Sequence, residues 1–172
     1  MVEQVFKEKG GSGVKQSGAV PRPKEIGEGV PPRDIILVLE DDEGDIDRMN
    51  SMLQDLYGDS VRIRNARTID EGYTIVGKGH NRLAGAIVDA YMRSRMPKEG
   101  ESAIDLYGDH GIDFALTLKS IIPRDSVILV SDDARVRDTA EILKIPFIHK
   151  DSLRKGESLD MIKRTIKPAV TA

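Results

Sequence analysis

A doubly wound α/β domain built on a parallel sheet is what this sequence predicts, and three observations predict it. From Asp34 onward, short apolar runs rich in β-branched residues alternate with segments whose apolar residues recur at helical spacing. Five such strand–helix units succeed one another in the chain. The runs are compact and apolar, as strands covered on both faces must be, and parallel strands need crossover helices to join them.

The first run, 34–39 (DIILVL), is stopped by acids. Segment 44–57 then sets Ile46, Met49, Met52, Leu53 and Leu56 on one helical face. Segment 61–64 is a short alternating strand. Thr68-Ile-Asp-Glu71 has the form of a capping box, in which a threonine hydroxyl and a glutamate satisfy open amides, and it begins a helix running to about Val76. Segment 83–89 (LAGAIVD) is the third strand. After a polar stretch, Ile112, Ala115, Leu116 and Ile121, with Leu118 offset, mark a helix ended by Pro123. Segment 126–130 is the fourth strand, followed by a helix capped by Asp133 and running to Leu143. Segment 145–148 is a shorter fifth strand, and 158–167 a last helix closed by Pro168. Tyr73, Met49 and Met52 are expected in the core.

With 172 residues the chain suits one domain with an appendage. Residues 1–33 hold six of the 16 glycines and four of the eight prolines, with Phe6 as their single aromatic. Such a stretch buries too little to offset its ordering entropy, so 1–33 is read as a flexible N-terminal tail and 34–172 as the folded domain. The formal charge of −3 gives no global reason to expect nucleic acid or an anionic membrane as partner. Cysteine is absent, which excludes disulfides, thiolate metal sites and thiol nucleophiles. No apolar run has the length of a membrane span and the first ten residues lack a signal-peptide core, so the expected location is the cytoplasm.

In a doubly wound fold, ligands bind beyond the carboxyl ends of the strands. There the first strand carries Glu40-Asp41-Asp42, the third Asp89, the fourth Ser131-Asp132-Asp133 and the fifth His149-Lys150-Asp151. Carboxylates, a hydroxyl and an ammonium thus converge on one edge from distant parts of the chain. Clustered carboxylates repel unless a cation intervenes, and oxygen donors without thiol or clustered imidazole suit Mg²⁺. A carboxylate beside Mg²⁺, a lysine and a serine can act as nucleophile toward a phosphoryl group, whose spreading charge the cations neutralise.

These motifs resemble the receiver domain of two-component response regulators, over nearly all of 34–167. The resemblance implies a flavodoxin-like, five-stranded parallel sheet with helices on both faces, phosphorylated on a strand-end aspartate. VLEDDE resembles the acidic start of that family, which makes Glu40 and Asp41 the Mg²⁺-side pair, with Asp41 the direct ligand. AIVDAYM resembles the phosphoacceptor strand, which makes Asp89 the nucleophile and puts the Tyr91 backbone carbonyl on the metal. ILVSDD implies that Ser131 donates its hydroxyl to the phosphoryl group. FIHK implies that Lys150 pairs with it and that Phe147 is the switch aromatic, turning inward with Ser131 when Asp89 is phosphorylated. The implied partners are a histidine kinase or phosphotransfer protein as donor and a downstream protein as target, through the tail, a loop or a homodimer. Nothing after Pro168 is long enough for an output domain, so the chain is expected to act as a stand-alone receiver.

Three departures from the family pattern stand out. Asp132 follows Ser131 where a small residue is usual, and Asp151 follows Lys150 where proline is usual, so the cis peptide of that turn is not expected. Residues 93–110 (RSRMPKEGESAIDLYGDH) form an insertion that leaves the active edge and has the length to cover it or to meet a partner. These departures also support a pseudo-receiver adaptor that works without phosphorylation. A Mg²⁺-dependent phosphatase is disfavoured because the second acid such enzymes place two residues after the nucleophile is here Tyr91. His149 is expected to be structural, and Gly77 and Gly79 make no dinucleotide-binding motif.

Overall fold

The computed structural model describes residues 34–79, 82–122 and 126–168; the tail read at 1–33 lies outside them. The strands are β1 (Asp34–Leu39), β2 (Val61–Ala66), β3 (Leu83–Asp89), β4 (Met92–Arg93), β5 (Tyr107–Gly108), β6 (Val127–Ser131) and β7 (Phe147–His149). The helices are α1 (Glu43–Tyr57), α2 (Ile69–Gly79), α3 (His110–Ile121), α4 (Val136–Leu143), α5 (Lys150–Arg154) and α6 (Leu159–Thr165). Five strands form one sheet in the order β2-β1-β3-β6-β7, and every neighbouring pair is parallel. The order reverses direction on either side of β1, so β1 and β3 end at the topological switch where the fold leaves an open crevice.

Alternation along the central strands builds two cores. Ile35, Leu37, Leu39, Ala86 and Val88 face one side with Phe114, Ala115 and Leu118 of α3 and Ala140 of α4. Ile36, Val38, Ile87, Ile128 and Val130 face the other with Met49, Met52 and Leu53 of α1, Leu153 of α5 and Ile162 of α6. The doubly wound, five-stranded parallel sheet expected from the sequence is therefore the one observed. The capping box forms with one change of partner: the Glu71 amide donates to Thr68 Oγ1 at 3.2 Å, while Glu71 Oε2 accepts from the amide of Arg67, one residue before the cap.

Several local expectations are corrected. Helix α3 buries Phe114, Ala115 and Leu118 and leaves Leu116 and Ile121 exposed, so the residue out of step with the expected stripe is the true core residue. Tyr73 is 46% exposed and meets Phe114 of the core edge-on. Asp133 caps a turn rather than α4 itself: its Oδ1 accepts from the Arg135 amide at 2.9 Å and its carbonyl from Val136 at 3.1 Å, so the helix begins two residues later than expected. The insertion carries a small antiparallel ladder, Met92 opposite Gly108 and Arg93 opposite Tyr107, which no periodicity announced.

Candidate functional site

The carboxyl ends of β1, β3, β6 and β7 deliver side chains to one pocket. Glu40 follows β1 directly and is fully buried. Its Oε1 accepts from the amides of Asp41 and Asp42, both at 3.1 Å, which turns the chain out of the sheet and into α1. Asp42 is the N-cap of α1, its Oδ1 accepting from the Asp45 amide at 2.9 Å. The neighbouring acids therefore divide their work: Asp42 satisfies the helix end, as N-cap aspartates do, and Asp41 faces the pocket.

Asp89 closes β3 and is 6% exposed. Its Oδ2 accepts from Lys150 Nζ at 2.7 Å and its Oδ1 from the Tyr91 amide at 3.2 Å. Lys150 Nζ also lies 2.7 Å from Glu40 Oε2 and 3.7 Å from Asp45 Oδ2. One buried ammonium thus serves two strand-end carboxylates and a third on α1. Burial pushes the Glu40 carboxyl up to about 7, with the charge of Asp89 adding to it and Lys150 opposing both. Burial raises Asp89 as well, again against the pull of Lys150. Lys150 is itself held above its usual range, because the attraction of Asp89 and Glu40 outweighs its burial.

Lys150 is the first residue of α5, which starts without a loop after β7. His149 is the cap, its Nδ1 accepting from the Asp151 amide at 3.3 Å, and its Nε2 lies 2.9 Å from the carbonyl of Asp132. With Nδ1 accepting, Nε2 must carry the proton and donate. The residue after Lys150 contributes the amide that proline lacks, and the described residues contain no cis peptide. His149 thus caps α5 and ties it to the turn after β6.

Ser131 ends β6, nearly buried, with Oγ accepting from the Asp133 amide at 3.0 Å. Asp132 is drawn outward by Arg154 of α5, which reaches both its oxygens at 3.2 Å. Arg154 also donates to Asp45 at 3.0 Å, so α1, α5 and the turn after β6 meet at one guanidinium. Phe147 is half-buried at the start of β7, with the Arg137 guanidinium 5.8 Å from its ring centre. Tyr91 enters the pocket through its amide, while its hydroxyl reaches Asp133 at 3.4 Å.

The insertion reaches the same pocket. Arg93 Nε lies 3.2 Å from Asp41 Oδ2, and the Tyr107 hydroxyl donates to that oxygen. The Arg93 guanidinium also sits 5.6 Å from the Tyr107 ring centre. The far end of the insertion is clamped by Arg95, whose two terminal nitrogens meet the two oxygens of Glu101 at 2.7 and 2.5 Å. Where it rejoins α3, the Gly111 amide donates to the Ala90 carbonyl at 3.2 Å, and a Cβ at 111 would collide with the carbonyl oxygen of Asp89.

Glu40, Asp41 and Asp89 each offer a carboxylate oxygen, all within 4.8 Å of one another. An all-oxygen donor set of this kind fits a hard divalent cation. The sequence-predicted residues Glu40, Asp41, Asp89, Ser131 and Lys150 are all brought to this edge. Asp45, Arg154, Arg93 and Tyr107 were not foreseen. For Asp45 a signal existed, since it lies one helical turn inside the Asp42 cap and so on the same edge.

No family model matches the sequence, and no curated protein does. Solved structures do match. The bacteriophytochrome response regulator AtBRR is 15% identical, the match covering 83% of this chain and all of that one with a TM-score of 0.52. A response regulator receiver domain protein from Clostridium thermocellum is 18% identical over 76% of this chain and 95% of that one, TM-score 0.52. The response regulator Rcp1, in its Mn²⁺-bound form, is 14% identical over 79% of this chain and 99% of that one, TM-score 0.55. The fold is that of response regulator receiver domains.

Proposed function

We propose that this domain is a phosphorylatable receiver with Asp89 as the acceptor. The observation that carries this reading is the arrangement around Asp89: a carboxylate at the end of the central strand, held by Lys150 at 2.7 Å, beside Glu40 and Asp41 and next to the strand bearing Ser131. An Asp89 oxygen would attack the phosphorus of a phosphohistidine, or of a small phosphodonor. The new O–P bond makes an acyl phosphate as the P–N bond breaks, and the imidazole takes a proton from solvent. Lys150 keeps the attacking carboxylate charged and oriented, then faces the phosphoryl oxygens. Ser131 has a hydroxyl to donate to them once it turns from the Asp133 amide. Glu40, Asp41, Asp89 and the Tyr91 carbonyl would hold Mg²⁺, which supplies positive charge against the phosphoryl oxygens.

Phosphorylation adds charge at the edge where β6 and β7 end, and the response would run through Ser131 and Phe147 to the surface around α4. The donor would be a histidine kinase or phosphotransfer protein, the output a protein contact, and the location the cytoplasm. Among the described residues no helix is long and apolar enough to cross a membrane. The test is intact mass after incubation with Mg²⁺ and acetyl phosphate. A gain of one phosphate is expected, lost in Asp89→Asn and with a chelator; a gain retained in Asp89→Asn would overturn the assignment.

One observation favours a second reading, an adaptor that works without phosphorylation: Asp41 is already engaged by Arg93 and Tyr107. Beryllofluoride, a phosphoryl mimic, separates the two. A changed amide spectrum around Ser131 and Phe147 supports the switch, and an unchanged one the adaptor.

A further inference from the structure

Of the three carboxylates Glu40, Asp41 and Asp89, Asp41 is the one met by the insertion. Glu40 and Asp89 are met by Lys150, which α5 holds against the sheet. Asp41 is met by Arg93 and Tyr107, which face each other across a ladder of two residue pairs. Both approach the same oxygen, Oδ2, the Tyr107 hydroxyl as a hydrogen-bond donor and Arg93 Nε as an ion pair without a hydrogen bond's geometry, and the Asp41 side chain is left 13% exposed. The guanidinium charge and the hydroxyl there partly take the place of a cation at that oxygen.

At Oδ2 the two occupancies exclude each other. A divalent cation binds a carboxylate oxygen at about 2.0–2.6 Å, and an oxygen so bound cannot keep a guanidinium nitrogen and a phenol beside it without bringing like charges together. The ladder is short enough to yield. Two pairs of residues do not make an independently stable hairpin; Met92 at its base is anchored in the core, and outward from Arg93 the ties include the Ser94–Leu106 and Asp70–Ser94 backbone bonds and the Arg95–Glu101 clamp.

We propose that the hairpin 92–108 is a latch on Asp41: Arg93 and Tyr107 occupy the carboxylate until a divalent cation displaces them, so cation loading and release of the hairpin are one linked event. This rests on the reading of Glu40, Asp41 and Asp89 as a cation site. The cation then does two things in this chain. It completes the pocket, and it frees a surface carrying Met96, Ile104 and Tyr107, all of them substantially exposed even when latched.

The experiment is Mg²⁺ calorimetry on the full chain, Tyr107→Phe and Arg93→Gln, together with hydrogen exchange of the wild-type amides with and without Mg²⁺. Tyr107→Phe changes no charge, so it separates competition from simple field effects. Each variant is expected to bind Mg²⁺ about 3- to 5-fold tighter, the weight of a single ordinary hydrogen bond or weak ion pair. Mg²⁺ is expected to speed exchange at 92–108 in the wild type. Binding that is equal or weaker in either variant, or an unchanged exchange profile, overturns the latch and leaves the cation site standing. Absence of binding in all three proteins overturns the cation site and the latch with it.

Discussion

Asp89 and Asp41 sit at the ends of adjacent strands, each facing a cation, yet the two halves of the pocket are built differently. On the Asp89 side the partner is Lys150, 7% exposed, and its backbone belongs to a helix anchored by Leu153 in the core. On the Asp41 side the partners hang on a two-pair ladder, and Tyr107 is 45% exposed. The same pairing of charges is thus permanent in one half and releasable in the other. Anchorage of the donor, not the donor's charge, makes the difference.

The largest break in that comparison comes from Lys150→Met. It leaves Glu40 and Asp89 buried together with no ammonium between them, and removing one partner of a buried ion pair costs about 3–5 kcal/mol. Urea unfolding should show it as a lower midpoint with an unchanged slope. Gly111→Ala strikes where the halves join, because the added methyl meets the Asp89 carbonyl and the start of α3 must move. A loss of about 3 kcal/mol is expected by the same measurement, at the upper end of overpacking costs.

Arg93→Gln sharpens the comparison from the other side. It should cost less stability than Lys150→Met, because Arg93 Nε stands 3.2 Å from Asp41 without a hydrogen bond's geometry, so an equal loss would show that the Asp41 half is as fixed as the Asp89 half. The smallest effect belongs to the clamp at the far end of the insertion. Arg95 holds the Glu101 carboxyl down, to about 2. A depressed carboxylate contributes fully above its unfolded value of 4.5 and loses that contribution as pH falls toward about 2. Trypsin cleavage after Lys98 should therefore be faster in Glu101→Gln than in wild type at neutral pH, and the protection of amides near Lys98, taken relative to their intrinsic exchange rates, should fall in wild type across that acid window.

How much could be read in advance follows the same division. β1 and β3 are found at their expected bounds because a run buried on both faces is apolar without interruption, and its end is marked by the first acid. Lys150 lies at the expected strand end, where its Nζ meets Asp89. Helix α3 was placed but its face misjudged, since a helix against a sheet buries whichever side the Gly111 contact presents, and that is Phe114 and Leu118. Arg93 and Tyr107 were not legible at all. Two-residue strands have no period, and nothing local in RSRMPKEGESAIDLYG says that its ends pair and turn toward Asp41. Asp132 stands beside Ser131 where a small residue is usual, and only Arg154, 22 residues later, shows it held aside.

The position of β1 between β2 and β3 has a consequence for how the chain is made. Ile35 pairs with Arg62 on one side and Leu83 on the other, so the second neighbour emerges about 20 residues after the first. At 5–20 residues per second that is roughly 1–4 s of synthesis during which one edge of β1 stands bare. The six residues DIILVL carry a single charge at one end and no proline, the pattern that stacks most readily with copies of itself. On the ribosome, then, the strand that later organises both cores is the segment most in need of shielding, and crowding of nascent chains should lower the folded yield before it affects any other part of the molecule.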